Sequence, residues 1–123
     1  MEVILDTNFI ISCVIKRIDF LEELENLGFK PRVPRRVLQE LKDLRTDSKM
    51  SHAERQAIDV AFTLLEEKKV KKTRIGGRNV DEGLIEKGKR GIYIATLDKV
   101  IKREVPNKIV IDSAKNGLIV ERS

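Results

Sequence analysis

Short apolar runs alternate along the chain with stretches in which apolar residues recur every three or four positions. A short run rich in Val and Ile is typical of a buried strand, whereas the longer spacing is typical of an amphipathic helix. The runs predict strands at residues 3–5, 30–34, 70–75, 91–96, 109–111 and, at an edge, 118–120. The spaced stretches predict helices at about residues 9–16, 20–27, 35–45, 51–68, 79–88 and 99–104.

Several of the predicted helices carry a capping signal at their start. Either Thr7 or Asn8 can cap the first helix, and Ser51 followed by Glu54 forms a capping-box pattern before the long helix. Strands that alternate with helices predict a three-layer α/β/α sandwich around a central, mostly parallel sheet. No linker or internal repeat interrupts the pattern, so residues 1–123 are predicted to form a single domain.

Two aspartates stand directly at the ends of predicted strands. Asp6 follows the first apolar run, and Asp98 follows the run at residues 91–96. Parallel strands of one sheet point their carboxyl ends the same way, and open α/β sheets place their ligand sites at that edge. We therefore expect Asp6 and Asp98 to converge on one crevice.

A third acid interrupts the apolar face of a predicted helix. At 100° per residue, Asp81 lies between the apolar positions Leu84 and Ile85, whereas Glu82 points outward. An acid within a buried stripe is costly unless another group pairs with it, which makes Asp81 a candidate site residue. Glu40 lies only at the border of its helix's apolar stripe, where an exposed glutamate fits the geometry equally well.

Composition and charge narrow the choice of partner and location. Lys and Arg number 25 against 20 Asp and Glu, and the net charge of +5 is compatible with a polyanionic partner. Aromatic residues make up only 4% of the chain, which argues against binding of single strands by base stacking. A single cysteine excludes an internal disulfide, and the chain shows no secretory signal or membrane-spanning run. These features predict a cytoplasmic protein without a membrane partner.

Several carboxylates without histidine or cysteine partners are hard oxygen ligands of the kind that suit Mg²⁺ or Mn²⁺ rather than zinc. Two such ions held by shared carboxylates can activate water and stabilise the leaving oxygen during phosphodiester cleavage. The pair Gly76 and Gly77 lacks the spacing and the following Lys-Ser/Thr of a phosphate-binding loop. No Ser–His or Cys–His pair is indicated, so metal-dependent hydrolysis is the chemistry that the acids favour.

The chain resembles the PIN-domain nucleases in four segments that together span nearly its whole length. Each segment alone is short, but all four occur in order with the appropriate helices between them. The segments are Leu5-Asp6-Thr7-Asn8, Pro34-Arg35-Arg36-Val37-Leu38-Gln39-Glu40-Leu41, Val80-Asp81 and Ile94-Ala95-Thr96-Leu97-Asp98.

The resemblance implies a PIN-like, Rossmann-like fold and endonucleolytic cleavage of RNA. It also implies a cluster of acids around one or two divalent ions, Mg²⁺ or Mn²⁺, formed by Asp6, Glu40, Asp81 and Asp98. Asn8 and Thr96 match polar positions that support the acids in relatives. The chain departs from the pattern at Val100, where many relatives carry another aspartate.

Basic residues near the predicted acidic edge are candidates for contacts to the RNA backbone. For each of them, a solvated surface position is the alternative. The foremost candidates are Arg35, Arg36, Lys102 and Arg103, and the others are Arg45, Lys49, Arg78 and Lys99.

The functional alternatives stay open at this point. The first is a metal-dependent endoribonuclease, and the second is a PIN-like module that binds RNA or a protein without cutting, which the valine at position 100 makes a real alternative. The third is a toxin of the VapC type, held inactive by an antitoxin protein. A small antitoxin reading frame next to the gene would favour the toxin over an rRNA-processing enzyme. A homodimer is compatible with any of these functions.

Overall fold

The computed structural model describes residues 1–122, and Ser123, the last residue of the predicted domain, lies outside that range. The strands are β1 (Glu2–Leu5), β2 (Lys30–Pro34), β3 (Lys71–Thr73), β4 (Tyr93–Ala95), β5 (Lys108–Asp112) and β6 (Gly117–Glu121). The helices are α1 (Thr7–Ile15), α2 (Phe20–Asn26), α3 (Arg35–Arg45), α4 (His52–Glu67), α5 (Val80–Lys89) and α6 (Lys99–Glu104). None of these helices is long and apolar enough to cross a membrane.

The strands form one sheet in the order β3-β2-β1-β4-β5-β6, which is parallel except for the antiparallel pair β5 and β6. Strand β1 lies between β2 and β4, with Val3 beside Pro31 on one side and Tyr93 on the other. Because β1 is central, its residues Val3 to Leu5 are almost completely buried. The predicted three-layer α/β/α fold with a mostly parallel sheet is confirmed.

The helices form two packed groups that bury the sheet. Helix α1 packs against α3 and α4, whereas α5 packs against α6 and β4. Strands β2 and β3 lie on one side of β1. After β3, the chain crosses back to form β4, which lies on the other side of β1. The strand order therefore reverses at β1, and such a reversal opens a crevice at the carboxyl ends of the strands.

The start of α1 differs from its prediction. Its N-cap is Asp6, with φ −90° and ψ 154°, and the Asp6 side chain accepts a hydrogen bond from the Thr7 amide. The expectation that Thr7 or Asn8 caps the helix is wrong, because the helix already begins at Thr7 and only Asp6 separates it from the end of β1. The acid at the strand end is therefore also the helix cap.

Helix α5 buries a different face from the one that its apolar residues predict. Its buried residues are Val80, Gly83, Leu84 and Gly88, whereas Asp81 is exposed and Ile85 is only partly buried. The prediction that Asp81 lies within the buried stripe is therefore wrong. Two glycines lie on the buried face because neighbouring atoms leave no room for side chains: a Cβ on Gly88 would lie 2.3 Å from Cγ1 of Val105.

This packing predicts the effect of Gly88→Ala. Alanine adds about 1 kcal/mol of helix propensity, but forcing a methyl group into a filled contact costs about 1–3 kcal/mol. The new Cβ would also lie 2.7 Å from Cβ of Val105, a branched side chain that cannot turn away easily. Because an approach of 2.3 Å places the cost near the upper end of that range, we expect the free energy of unfolding in urea to fall by about 1–2 kcal/mol after the gain in propensity.

Glu86→Ala, at an exposed position of the same helix, is the matched control. Its unfolding free energy should stay within about 0.5 kcal/mol of the parent's value. A Gly88→Ala protein more stable than the parent would show that α5 does not pack tightly on Val105.

Candidate active site

Asp6 lies at the centre of the candidate site, where β1 ends and α1 begins. It is only 6% exposed. One carboxylate oxygen, Oδ1, accepts a hydrogen bond from the Thr7 amide at 2.8 Å. The other, Oδ2, accepts one from the hydroxyl of Thr96 at 2.7 Å, and Thr96 is itself fully buried just after β4. The ends of two adjacent strands are therefore joined through the Asp6 side chain.

Asp98 joins this group through the same threonine. The Asp98 amide donates to the Thr96 hydroxyl oxygen at 3.1 Å. Its carboxylate oxygen Oδ1 accepts from the amides of Val100 at 2.8 Å and Ile101 at 3.0 Å, which caps α6. The structure thus brings Asp6 and Asp98 to the same edge of the sheet, as their positions at the strand ends predicted.

Glu40 reaches the group from α3 through Thr7. Glu40 is exposed, but its Oε1 accepts a short hydrogen bond from the hydroxyl of the buried Thr7. Thr7 therefore donates its amide to Asp6 and its hydroxyl to Glu40. The sequence pattern indicated Thr7 only as a possible cap and did not reveal this role. The available signal was a hydroxyl residue directly after a strand-end acid.

Asp81 approaches from the first turn of α5. That turn begins at Asn79, whose side chain accepts from the Glu82 amide at 2.9 Å. The Asp81 carboxylate makes no hydrogen bond within residues 1–122, so its distance from the other acids depends on where α5 packs. Glu82, which was predicted to point outward, forms a 3.0 Å ion pair with the exposed Arg78 and is itself half-buried.

The raised pKa values of Asp6 and Asp81 indicate that these two carboxylates are partly desolvated and repelled by other acids of the group. Burial raises the pKa of Asp6 to about 6, and the charges of Asp81 and Glu40 add to that rise. The hydrogen bonds from Thr96 and the Thr7 amide act in the opposite direction. The pKa of Asp81 is also raised, first by partial desolvation of its carboxylate and then by repulsion from Asp98.

The donor chemistry of the cluster fits a hard divalent cation. All four candidate ligands are carboxylates, and none of them forms an ion pair in the described part of the chain. As arranged, no three acidic, histidine or cysteine side chains of residues 1–122 converge to hold a metal ion. The Glu40 carboxylate is turned to Thr7 and the Asp98 carboxylate to the α6 amides, so both would have to turn to share an ion.

The other predicted site residues have different surroundings. Thr96 supports Asp6 as expected, whereas Asn8 is exposed and its side chain makes no hydrogen bond within the described range. The supporting role of Asn8 stays a prediction. Arg36 donates to the carbonyl oxygens of Gly76 and Gly77, so this predicted RNA contact has a protein partner.

The remaining basic candidates divide into paired and unpaired residues. Arg45 forms an ion pair with Asp59. Three of the foremost candidates, Arg35, Lys102 and Arg103, form no ion pair with any residue that the structure describes. Their contacts to RNA stay predictions.

The raised pKa of Asp6 predicts how the stability of the metal-free protein depends on pH. The fold favours the protonated carboxyl. Its contribution to the free energy of unfolding is therefore full below the ordinary pKa of 3.8 and is lost as pH rises through about 6. In EDTA, the unfolding free energy should fall between these limits by up to about 3 kcal/mol. Urea unfolding at several pH values measures this fall.

The comparison with Asp6→Asn isolates the contribution of Asp6. In this variant the unfolding free energy should fall much less as the pH rises, because asparagine keeps an acceptor for the Thr7 amide but does not titrate. Glu67→Gln, at an exposed position of α4, should keep the parent's pH dependence. Equal pH dependence in the parent and Asp6→Asn would contradict the assignment of a raised pKa to Asp6.

Comparison with known proteins agrees with this architecture. The structure is similar to that of a chain described as the PIN domain endonuclease Utp24, with a TM-score of 0.74 and 21% identity over 99% of this chain and 92% of that one. At that identity the likeness establishes the fold alone. No curated protein matches the chain in sequence. A family model described as a PIN-like domain matches residues 3–111, and the chain therefore belongs to the PIN-like domain family.

Proposed function

We propose that the protein is a divalent-metal-dependent endoribonuclease that hydrolyses phosphodiester bonds of RNA at the four acids. The observation that carries the proposal is the Asp6 carboxylate, which lies at the point where the strand order reverses. Its pKa is raised first by burial and then by the charges of Asp81 and Glu40. Membership of the PIN-like family supports nuclease chemistry, and so does the name of Utp24 as an endonuclease.

The residues proposed to hold Mg²⁺ or Mn²⁺ are Asp6, Asp81 and Asp98, with Glu40 as a fourth ligand. When bound, such an ion activates water and stabilises the leaving oxygen of the phosphodiester. The protein's own contribution is orientation: Thr96 fixes one oxygen of Asp6, and Thr7 orients Asp6 and Glu40 together. Thr96 thus supports the acids by hydrogen bonding, and we propose the same role for Asn8.

RNA is the proposed substrate because the acidic site belongs to a protein with a net charge of +5. Arg35 lies at the start of α3, the helix that carries Glu40, and Lys102 and Arg103 lie on α6 after Asp98. These side chains are proposed to contact phosphates beside the scissile bond, in a cytoplasmic protein. An adjacent antitoxin reading frame would identify a toxin bound by that protein, and its absence would favour RNA processing such as that of rRNA.

A second candidate function rests on Val100. This residue is 50% exposed on α6, two positions after Asp98, and contributes no carboxylate to the cluster. A PIN-like module that binds RNA or a protein without cutting would tolerate such a residue. Replacing it gives a direct comparison, because Val100→Asp adds an acid at an exposed position without disturbing the core.

The endoribonuclease proposal predicts the behaviour of the acid variants. Asp6→Asn, Asp81→Asn and Asp98→Asn keep the shape of each side chain but remove a charged ligand. We expect the rate of RNA cleavage with saturating Mn²⁺ to fall at least about 100-fold in each. EDTA should abolish cleavage by the parent. The measurement is the cleavage rate of a labelled RNA under single-turnover conditions.

Glu82→Gln is the matched control, since it lies beside Asp81 in the same turn and is paired with Arg78. It should cleave at nearly the parent's rate. Cleavage at the parent's rate by all three aspartate variants would refute the site. A parent that binds RNA but never cuts it would favour the second candidate, especially if Val100→Asp then gains activity.

A further inference from the structure

Arg36, which was predicted to contact RNA, contacts protein backbone instead. It lies in the first turn of α3, one helical turn before Glu40. Its Nη1 donates to the carbonyl oxygen of Gly76 at 3.1 Å and to that of Gly77 at 2.9 Å. The side chain is exposed and forms no ion pair with an acid in residues 1–122. The two carbonyls are therefore its protein partners.

The backbone that Arg36 holds lies directly against the start of α5. Gly77 has a φ of +76°, and a Cβ on it would lie 2.7 Å from the Gly83 nitrogen. A Cβ on Gly83 would in turn lie 2.5 Å from the Gly76 carbonyl oxygen. The loop and the first turns of α5 thus approach closely through their backbones, and the side chains of Ile75 and Glu82 pack at the same contact. A shift of the loop would have to move the start of the helix.

The start of α5 carries Asp81, whose carboxylate has no hydrogen bond of its own in the described residues. Asp81 therefore depends on the α5 backbone for its position beside Asp6 and Asp98, with which it interacts electrostatically. Helix α3 already contributes Glu40, which is bonded to Thr7. Through Arg36, the same helix also holds the loop that leads to the third acid.

We infer that Arg36 is a positioning residue that fixes Asp81 within the acid cluster by holding the Gly76–Gly77 backbone to α3. The inference rests on the proposed function, because the cluster matters only if it binds a divalent ion. We call the contact between Arg36 and the Gly76–Gly77 backbone the tether. A contact to RNA would act on the substrate, whereas the tether acts on the protein before any substrate binds.

The test compares Arg36→Ala with Arg35→Ala in the full chain. Arg35 is the matched control because it lies in the same turn, is exposed and makes no side-chain hydrogen bond in the described residues. The first measurement is amide hydrogen exchange of residues 76–84 without metal. The second is the Mn²⁺ concentration that gives half of the maximal rise in melting temperature.

We expect Arg36→Ala to accelerate exchange in residues 76–84 about tenfold or more while β1 and β4 keep the parent's rates. The half-saturating Mn²⁺ concentration should rise about tenfold. Arg36→Lys keeps a charged donor and should recover part of both effects. Arg35→Ala should leave both measurements unchanged and alter only the salt dependence of RNA binding.

Unchanged exchange in Arg36→Ala would overturn the tether. Faster exchange with unchanged Mn²⁺ affinity would overturn the positioning role. A change in the salt dependence of RNA binding alone would identify Arg36 as an RNA contact instead. A parent that binds no Mn²⁺ would refute the proposed function and, with it, the positioning role, while the exchange data would still decide whether the tether exists.

Discussion

The buried carboxylate of Asp6 is the interaction on which the rest of the site depends. It is bonded to Thr96 after β4 and to the Thr7 amide at the start of α1, and Thr7 in turn is bonded to Glu40. A buried charge is costly unless other groups compensate for it. Here hydrogen bonds compensate only in part, because burial, and to a smaller extent the charges of Asp81 and Glu40, raise the Asp6 pKa. A partly compensated charge of this kind in a crevice is more typical of a functional site than of a structural one.

The topology explains why Asp6 and Asp98 lie at the same edge of the sheet. Strand β1 is central, and the chain continues to β2 on one side and returns to β4 on the other. Every parallel strand ends at the same edge, so residues far apart in sequence become neighbours, as Asp6 and Thr96 do. The glycine face of α5 then allows its helix to pack closely, with Gly88 against Val105.

The fold and the positions of two of the four acids could be predicted because their signals are local. An apolar run followed by an acid identifies a strand end, and the shared direction of parallel strands then brings Asp6 and Asp98 together. The surroundings of Asp81 could not be predicted from its helix. The apolar pattern cannot show that Gly83 and Gly88 face the core, since glycine has no side chain to count.

The hydrogen bonds that organise the site were also beyond the sequence analysis. Arg36 reaches Gly76 across 40 positions and Thr7 reaches Glu40 across 33. Such contacts depend on side-chain orientations that emerge only when distant segments pack. The strand-end position of Asp6 was foreseen, but its second role as the α1 cap was not. The supporting role of Thr96 came from the family resemblance rather than from the residue pattern.

The central claim is that these acids form one charge-coupled cluster built to receive a divalent ion. Its most direct test is the melting temperature of the parent and of Asp6→Asn, each measured at neutral pH in EDTA and in excess Mn²⁺. In EDTA the variant should melt at or above the parent, because it lacks the buried charge. Mn²⁺ should stabilise the parent by about 2.7 kcal/mol at a hundred times the dissociation constant and the variant by much less. If Mn²⁺ leaves the parent unmoved and Asp6→Asn destabilises the metal-free protein, the acids are structural and the account is contradicted.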